Sequence, residues 1–274
     1  MSRIAARFSK LKTEGRGAFI PFLEAYDPDL ATSTAILHGM PGAGADLIEI
    51  GMPFTDPMAD GPTIQTAGLR GLKAGATLPK TLTMVSDFRT HDADTPVILM
   101  GYLNPILSYG ADKFCADAAK AGVDGLIVVD LPSEEADWLA GAAAANALDI
   151  IRLVAPTTDD ARLPQVLNGS SGFVYYVSIA GITGTRTATA EHLAAAIPRV
   201  RRATDLPIAI GFGIRTPAQA AEAARAADAV VVASALIDTL AASLDPEGRA
   251  AANSVQLVLD QVRGLAEAVR SVAK

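Results

Sequence analysis

The chain has 274 residues, 23 Lys and Arg against 30 Asp and Glu for a formal charge of −7, and it is half hydrophobic but only 5% aromatic. That length suits one large core or at most two small ones, and an acidic chain without Lys/Arg clusters argues against a nucleic-acid or membrane-surface partner. A single cysteine, Cys115, rules out an intramolecular disulfide or a Cys-based metal site; with a charged start from Met1 to Lys12 and no apolar run of the ~20 residues that span a bilayer, a cytoplasmic protein is expected.

In chain order, Ile4, Phe8 and Leu11 mark a short amphipathic N-terminal helix. Eight short apolar runs follow, at 18–23, 47–52, 96–100, 125–131, 150–154, 173–179, 207–210 and 229–233. Their hydrophobicity is continuous rather than alternating, as in parallel strands covered on both faces. Between them, 111–121, 134–147, 188–201 and 217–227 are rich in Ala, Leu, Glu and Arg and read as helices. Ser133 ahead of Glu134 and Glu135, and Thr216 ahead of Pro217, read as their capping signals. From 246 to 274, Ala251, Val255, Val258, Leu259, Val262, Leu265 and Val269 recur at helical spacing, which predicts a closing helix.

Eight strand–helix alternations predict an α/β fold, a (β/α)8 TIM barrel with additional short N-terminal and C-terminal helices, as a single domain over 1–274. An open dinucleotide-binding sheet would need a glycine-rich turn after its first strand, where this chain has Glu24-Ala25-Tyr26-Asp27-Pro28-Asp29.

In such a barrel the reactive groups gather at the carboxyl ends of the strands. The second run places Glu49 inside an otherwise apolar strand, where an unpaired charge is costly. The loop after it adds Asp56 and Asp60. Asp56, before Pro57, reads as a turn or cap; Asp60, before Gly61-Pro62, reads equally as a turn residue or as a partner of Glu49 that divides acid and base roles with it, which spacing alone does not decide. Late in the chain, glycines at 181, 184, 211 and 213 and Ser234 follow successive runs. Backbone N–H groups there, and a serine opening a helix, suit a phosphate. Asp130 ends the fourth run and reads equally as structural or catalytic. His38, His91 and His192 read as surface residues, Cys115 as core, and Tyr175 and Tyr176 as facing opposite sides of their strand. These residues alone leave open another barrel enzyme acting on a phosphorylated substrate, or a binding subunit with little activity of its own.

The segment Glu49-Ile50-Gly51-Met52-Pro53-Phe54-Thr55-Asp56-Pro57-Met58-Ala59-Asp60-Gly61-Pro62-Thr63-Ile64-Gln65 closely resembles the signature of the tryptophan synthase alpha chain family. The resemblance continues in order through Met100-Gly101-Tyr102-Leu103-Asn104-Pro105, Val123-Asp124-Gly125, Asp130-Leu131-Pro132, Val154-Ala155-Pro156-Thr157-Thr158, residues 172–178, Gly181-Ile182-Thr183-Gly184 and Gly211-Phe212-Gly213-Ile214. It implies retro-aldol cleavage of indole-3-glycerol phosphate, with Glu49 and Asp60 catalytic, Tyr175 and Thr183 at the substrate, and Gly184, Gly213 and Ser234 cradling the phosphate. It implies no metal and no cofactor on this chain. Pyridoxal phosphate would belong to a beta chain partner that receives the indole, in an alpha2-beta2 tetramer. This sequence departs from the family where members usually carry glycine, at Tyr26 and Ala233.

Overall fold

The computed structural model describes residues 2–177, 190–211 and 213–274. Nine parallel strands are β1 (Ala18–Glu24), β2 (Ile48–Gly51), β3 (Val97–Gly101), β4 (Gly125–Val128), β5 (Asp149–Ile150), β6 (Arg152–Val154), β7 (Val174–Val177), β8 (Ile208–Gly211) and β9 (Ala229–Val232). They run round the sheet in the order β5-β4-β3-β2-β1-β9-β8-β7-β6. β5 and β6 are the two halves of one expected strand, interrupted at Ile151. The first half pairs with β4 and the second with β7, so the interruption brings the two edges of the sheet together and leaves a nearly closed eight-stave barrel with helices between the staves.

Side chains alternate strictly along each stave. Ala18, Ile20, Ile98, Ile127, Ile151, Tyr175, Ala209 and Val231 fill the interior, while Phe19, Leu23, Ile48, Ile50, Leu99 and Tyr176 pack into the helical layer. Burial on both faces explains why the runs read as continuously apolar, and it sends Tyr175 and Tyr176 opposite ways as expected. The N-terminal helix Arg3–Thr13 drives Ile4, Phe8 and Leu11 into the amino end of the interior.

The amino end carries a repeated aspartate device. Asp46, Asp124 and Asp228 each precede a strand and accept a hydrogen bond from a backbone N–H of a neighbouring strand: Phe19 at 3.0 Å, Val97 at 2.8 Å and Ile208 at 2.8 Å. Each also meets arginine. Asp46 takes Arg16 through both oxygens at 2.9 Å, Asp124 takes Arg3 and Arg89 at 2.8 Å, and Asp228 takes Arg201 at 2.8 Å.

The helix Ala111–Ala121 has its expected bounds, and Pro217–Ala226 opens with a capping box between Thr216 and Gln219. Two expectations are corrected. Residues 134–147 form a 3-10 turn, Ser133–Trp138, and a separate helix, Ala140–Ala145. Ser133 caps neither, because its hydroxyl donates to the Glu134 carboxylate and Pro132 stands at the cap position; the chain then kinks at Leu139, whose side chain turns into the core. The closing helix is Ser254–Arg270. Val258, Val262, Leu265 and Val269 are buried, but Ala251 lies exposed ahead of it, since the helix starts where Ser254 is tied to the Ser243 hydroxyl at 2.7 Å. Among the described residues no helix is long and apolar enough to cross a membrane.

Candidate active site

Register builds the site. β1 and β2 pair Phe22 with Glu49 and Glu24 with Gly51, so alternation points Phe22, Glu24 and Glu49 into the carboxyl half of the barrel. Glu49 is 1% exposed. Its Oε1 has no hydrogen-bond partner among the described residues, and burial pushes the carboxyl up to about 8. A buried carboxyl without a countercharge keeps its proton, so Glu49 is an acid at neutral pH.

Asp60 is held by the loop after β2. Its backbone N–H donates to Pro57, its carbonyl accepts from the Gln65 side chain at 2.9 Å, and its Oδ2 accepts from the Tyr102 hydroxyl at 2.9 Å. The same hydroxyl accepts from the Ala59 N–H at 3.0 Å, which fixes the loop over the barrel. Burial raises Asp60 to about 6 against the lowering effect of the Tyr102 hydrogen bond. At neutral pH the two carboxyls are therefore divided, Glu49 neutral and Asp60 ionised.

Glu49, Asp60, Tyr175, Gly213 and Ser234 line one cavity of ≈ 590 Å³, together with Phe22, Ile64, Met100, Arg215 and Ala233. Gly211 permits the approach of Tyr175, since a Cβ there would stand 2.6 Å from the ring Cε1. Gly213 has φ +75°, which turns the backbone after β8 as an L side chain rarely can. Ser234 opens the nine-residue helix Ser234–Ala242, whose N-terminus faces the same cavity. Thr183 and Gly184 lie outside the described residues. Among the described residues no cluster of three His, Cys, Asp or Glu side chains is arranged to hold a metal.

A larger hollow, ≈ 960 Å³, lies at the amino end beside Arg16 and Arg201. Those arginines are committed to Asp46 and Asp228, so chemistry singles out the smaller cavity. The other sequence candidates are structural. Asp130 accepts from the Leu103 N–H at 2.8 Å, Asp56 accepts from the neighbouring Thr55 hydroxyl, and Cys115 is fully buried. His38 packs against His91 with tilted rings whose centroids are 4.6 Å apart, and His192 meets the Tyr176 hydroxyl at 3.0 Å.

Three site residues escape sequence reasoning. Tyr102 stands one residue past β3, a position that could have flagged it. Arg215 follows the Gly213 turn and is held by Asp238, which also accepts from Thr63. Glu24 ends β1 and is 4% exposed. Tyr26, where the resemblance led to an expectation of glycine, has φ +67°, a left-handed conformation that costs an L residue about 1–2 kcal/mol. The ring is buried in the core, and the backbone N–H is held by the Ser33 hydroxyl at 3.0 Å. Ala233 has φ −118°, so no backbone strain attends its methyl group, which faces the cavity.

Residues 8–270 match the family model of the tryptophan synthase alpha chain. The tryptophan synthase alpha chain of Granulibacter bethesdensis is 73% identical, covering 99% of this chain and 97% of that one. That of Gluconacetobacter diazotrophicus is 68% identical, covering 99% of each. The crystal structure of tryptophan synthase subunit alpha from Legionella pneumophila superposes with a TM-score of 0.91 at 37% identity, covering 99% of this chain and 100% of that one. By these matches along its length, and by a barrel of the same architecture, the chain belongs to the tryptophan synthase alpha chain family, an enzyme subunit of tryptophan biosynthesis.

Proposed function

We propose that the chain is a carbon–carbon lyase that cleaves indole-3-glycerol phosphate to indole and glyceraldehyde 3-phosphate. The observation that carries this reading is the division of two carboxyls in one cavity, Glu49 neutral and Asp60 ionised, beside a glycine turn and a helix N-terminus suited to phosphate. Breaking the bond at indole C3 needs a proton on that carbon, and neutral Glu49 is the group to give it. Asp60 accepts the ring N–H and stabilises the positive charge that develops on the ring. Glu49, now a carboxylate, takes the proton of the glyceryl hydroxyl as the carbon–carbon bond breaks, which forms the aldehyde, releases indole and restores the acid. Tyr175 packs beside Glu49 in the wall, and Gly213 and Ser234 receive the phosphate, with Thr183 and Gly184 completing the family's set.

The family name further supports a beta chain as partner, in an alpha2-beta2 assembly in which pyridoxal phosphate sits on the beta chain and indole passes to it. Met58, Leu107 and Trp138, on segments that follow consecutive staves, are large hydrophobics left exposed, consistent with a docking face at the carboxyl end. The cytoplasm is the proposed location. The test is indole release from indole-3-glycerol phosphate by the purified chain, alone and with a beta chain. Glu49→Gln is expected to remain folded and to lose about 10³-fold of that activity. Substantial turnover by the variant would exclude Glu49 as the acid.

A further inference from the structure

The wall of the barrel has a seam. β4 pairs with β5 only through Gly125 with Asp149 and Leu126 with Ile150, and it shares no ladder with β6, so past Leu126 that edge of β4 runs unpaired. A cavity of ≈ 730 Å³ opens at the seam, lined by Val128, Asp130, Ser133, Arg152, Thr158 and Arg162 among others, and it has no lining residue in common with the cavity of Glu49 and Asp60. Ile151 and Leu153 pack against the barrel interior, so alternation turns Arg152 outward with Val154 into the helical layer. Arg152 is 6% exposed there. Its guanidinium makes one hydrogen bond, from Nη1 to the Leu131 carbonyl at 3.0 Å, while Nε is buried without a partner among the described residues. Burying an unpaired charge is costly, and a guanidinium, unlike a carboxyl, does not escape the cost by changing its protonation. A methionine would fill the same place on β6 without that cost, so packing alone does not call for arginine.

We propose that the seam cavity is a binding site for a small oxyanion, a phosphate or a carboxylate, with the Arg152 guanidinium as its main ligand. The site is separate from the reaction proposed above and does not depend on it. Three other charged groups belong to this region. Glu134 and Arg162 are paired with each other at 2.6 Å and so cancel. Asp130 accepts from the Leu103 N–H at 2.8 Å and is exposed, where water screens its charge. The uncompensated charge in the cavity is therefore that of Arg152. A planar guanidinium offers parallel N–H donors that match the oxygens of a phosphate or carboxylate. Thr158, itself buried, supplies a neutral donor: its Oγ1 accepts from the Ala155 N–H at 3.2 Å, which leaves the hydroxyl proton to give. A bound oxyanion gives the buried guanidinium the countercharge that the fold withholds.

Inorganic phosphate tests the site, with acetate as the carboxylate arm and sodium chloride at equal ionic strength as the control. In nitrogen-15 spectra of the full chain, the anion is expected to move the Arg152 Nε–Hε signal and the Thr158 amide along one saturating curve. Phosphate is expected to move the Gly213 and Ser234 amides along a second curve, because the substrate cavity also suits it. Arg152→Met abolishes the first response and leaves the second. Thermal unfolding gives an independent readout: at about ten times its dissociation constant, the anion raises the wild-type midpoint by about 3–5 °C more than that of Arg152→Met. A response to phosphate alone assigns the site to phosphates, and one to acetate alone assigns it to carboxylates. An Arg152 signal that neither anion moves beyond the chloride control overturns the site, as does a Thr158 shift that persists in Arg152→Met. A variant destabilised equally with and without the anions marks Arg152 as structural and overturns it too. If Arg152→Met does not fold, Arg152→Lys takes its place; it keeps the charge without the fork and is expected to bind about tenfold more weakly.

Discussion

The two ends of the barrel bury the same kind of residue and treat it in opposite ways. At the amino end Asp46 and Asp124, 1% and 5% exposed, are each satisfied by arginine and by a backbone N–H. At the carboxyl end no arginine among the described residues pairs with Glu49 or Glu24, 1% and 4% exposed, and burial pushes both carboxyls above the usual carboxylate range, Glu49 to about 8. Burial therefore does not decide function; the partner does. A paired carboxylate fixes the geometry of the barrel floor, whereas an unpaired one stores a proton where chemistry needs it.

That contrast can be broken from either end. The largest effect is expected in activity at the carboxyl end, from the Glu49→Gln substitution described above. The next is in stability at the amino end. Asp124→Ala removes the carboxylate that Arg89 and Arg3 share and leaves the buried Val97 N–H without its acceptor, and is expected to cost about 3–5 kcal/mol in denaturant unfolding while leaving kcat per folded molecule unchanged. If it reduced kcat at full folding, the division between the ends would fail.

A smaller effect of the opposite sign is expected for the stability of Glu49→Gln. The folded-state value of Glu49, about 8, lies above the ordinary 4.5, so the folded chain binds the extra proton and wild-type stability declines as pH rises through that window. Glutamine removes the decline. The variant should match the wild type in acid and exceed it by about 3 kcal/mol at neutral pH, as compared by unfolding at a series of pH values. The smallest effect belongs to the surface: Arg263→Ala breaks a half-exposed pair with Asp260 and should change unfolding by less than about 0.5 kcal/mol.

Much of this was readable in the residues because it rests on burial. Staves covered on both faces are continuously apolar, and Glu49 stands out because nothing else in residues 47–52 is charged. The break at Ile151 left no trace, since pairing with β4 on one side and β7 on the other is a property of closure and not of local composition. Residues 134–147 misread as one helix because alanine propensity is weak against the burial of Leu139. Glu24 was hidden by its neighbours: followed by Asp27 and Asp29, it reads as the start of a polar loop, and only the register with Gly51 brings it inside. Tyr102 reads as one more aromatic until its hydroxyl is seen between Ala59 and Asp60.

The central claim is that Glu49 is a neutral acid in the resting site. Isotope-edited infrared difference spectra of wild type against Glu49→Gln, taken through a pH titration, read that proton directly. The expected result is a protonated-carboxyl band for Glu49 that persists at neutral pH and disappears with a midpoint near 8. A Glu49 already ionised at neutral pH would contradict the assignment of acid and base on which the mechanism stands.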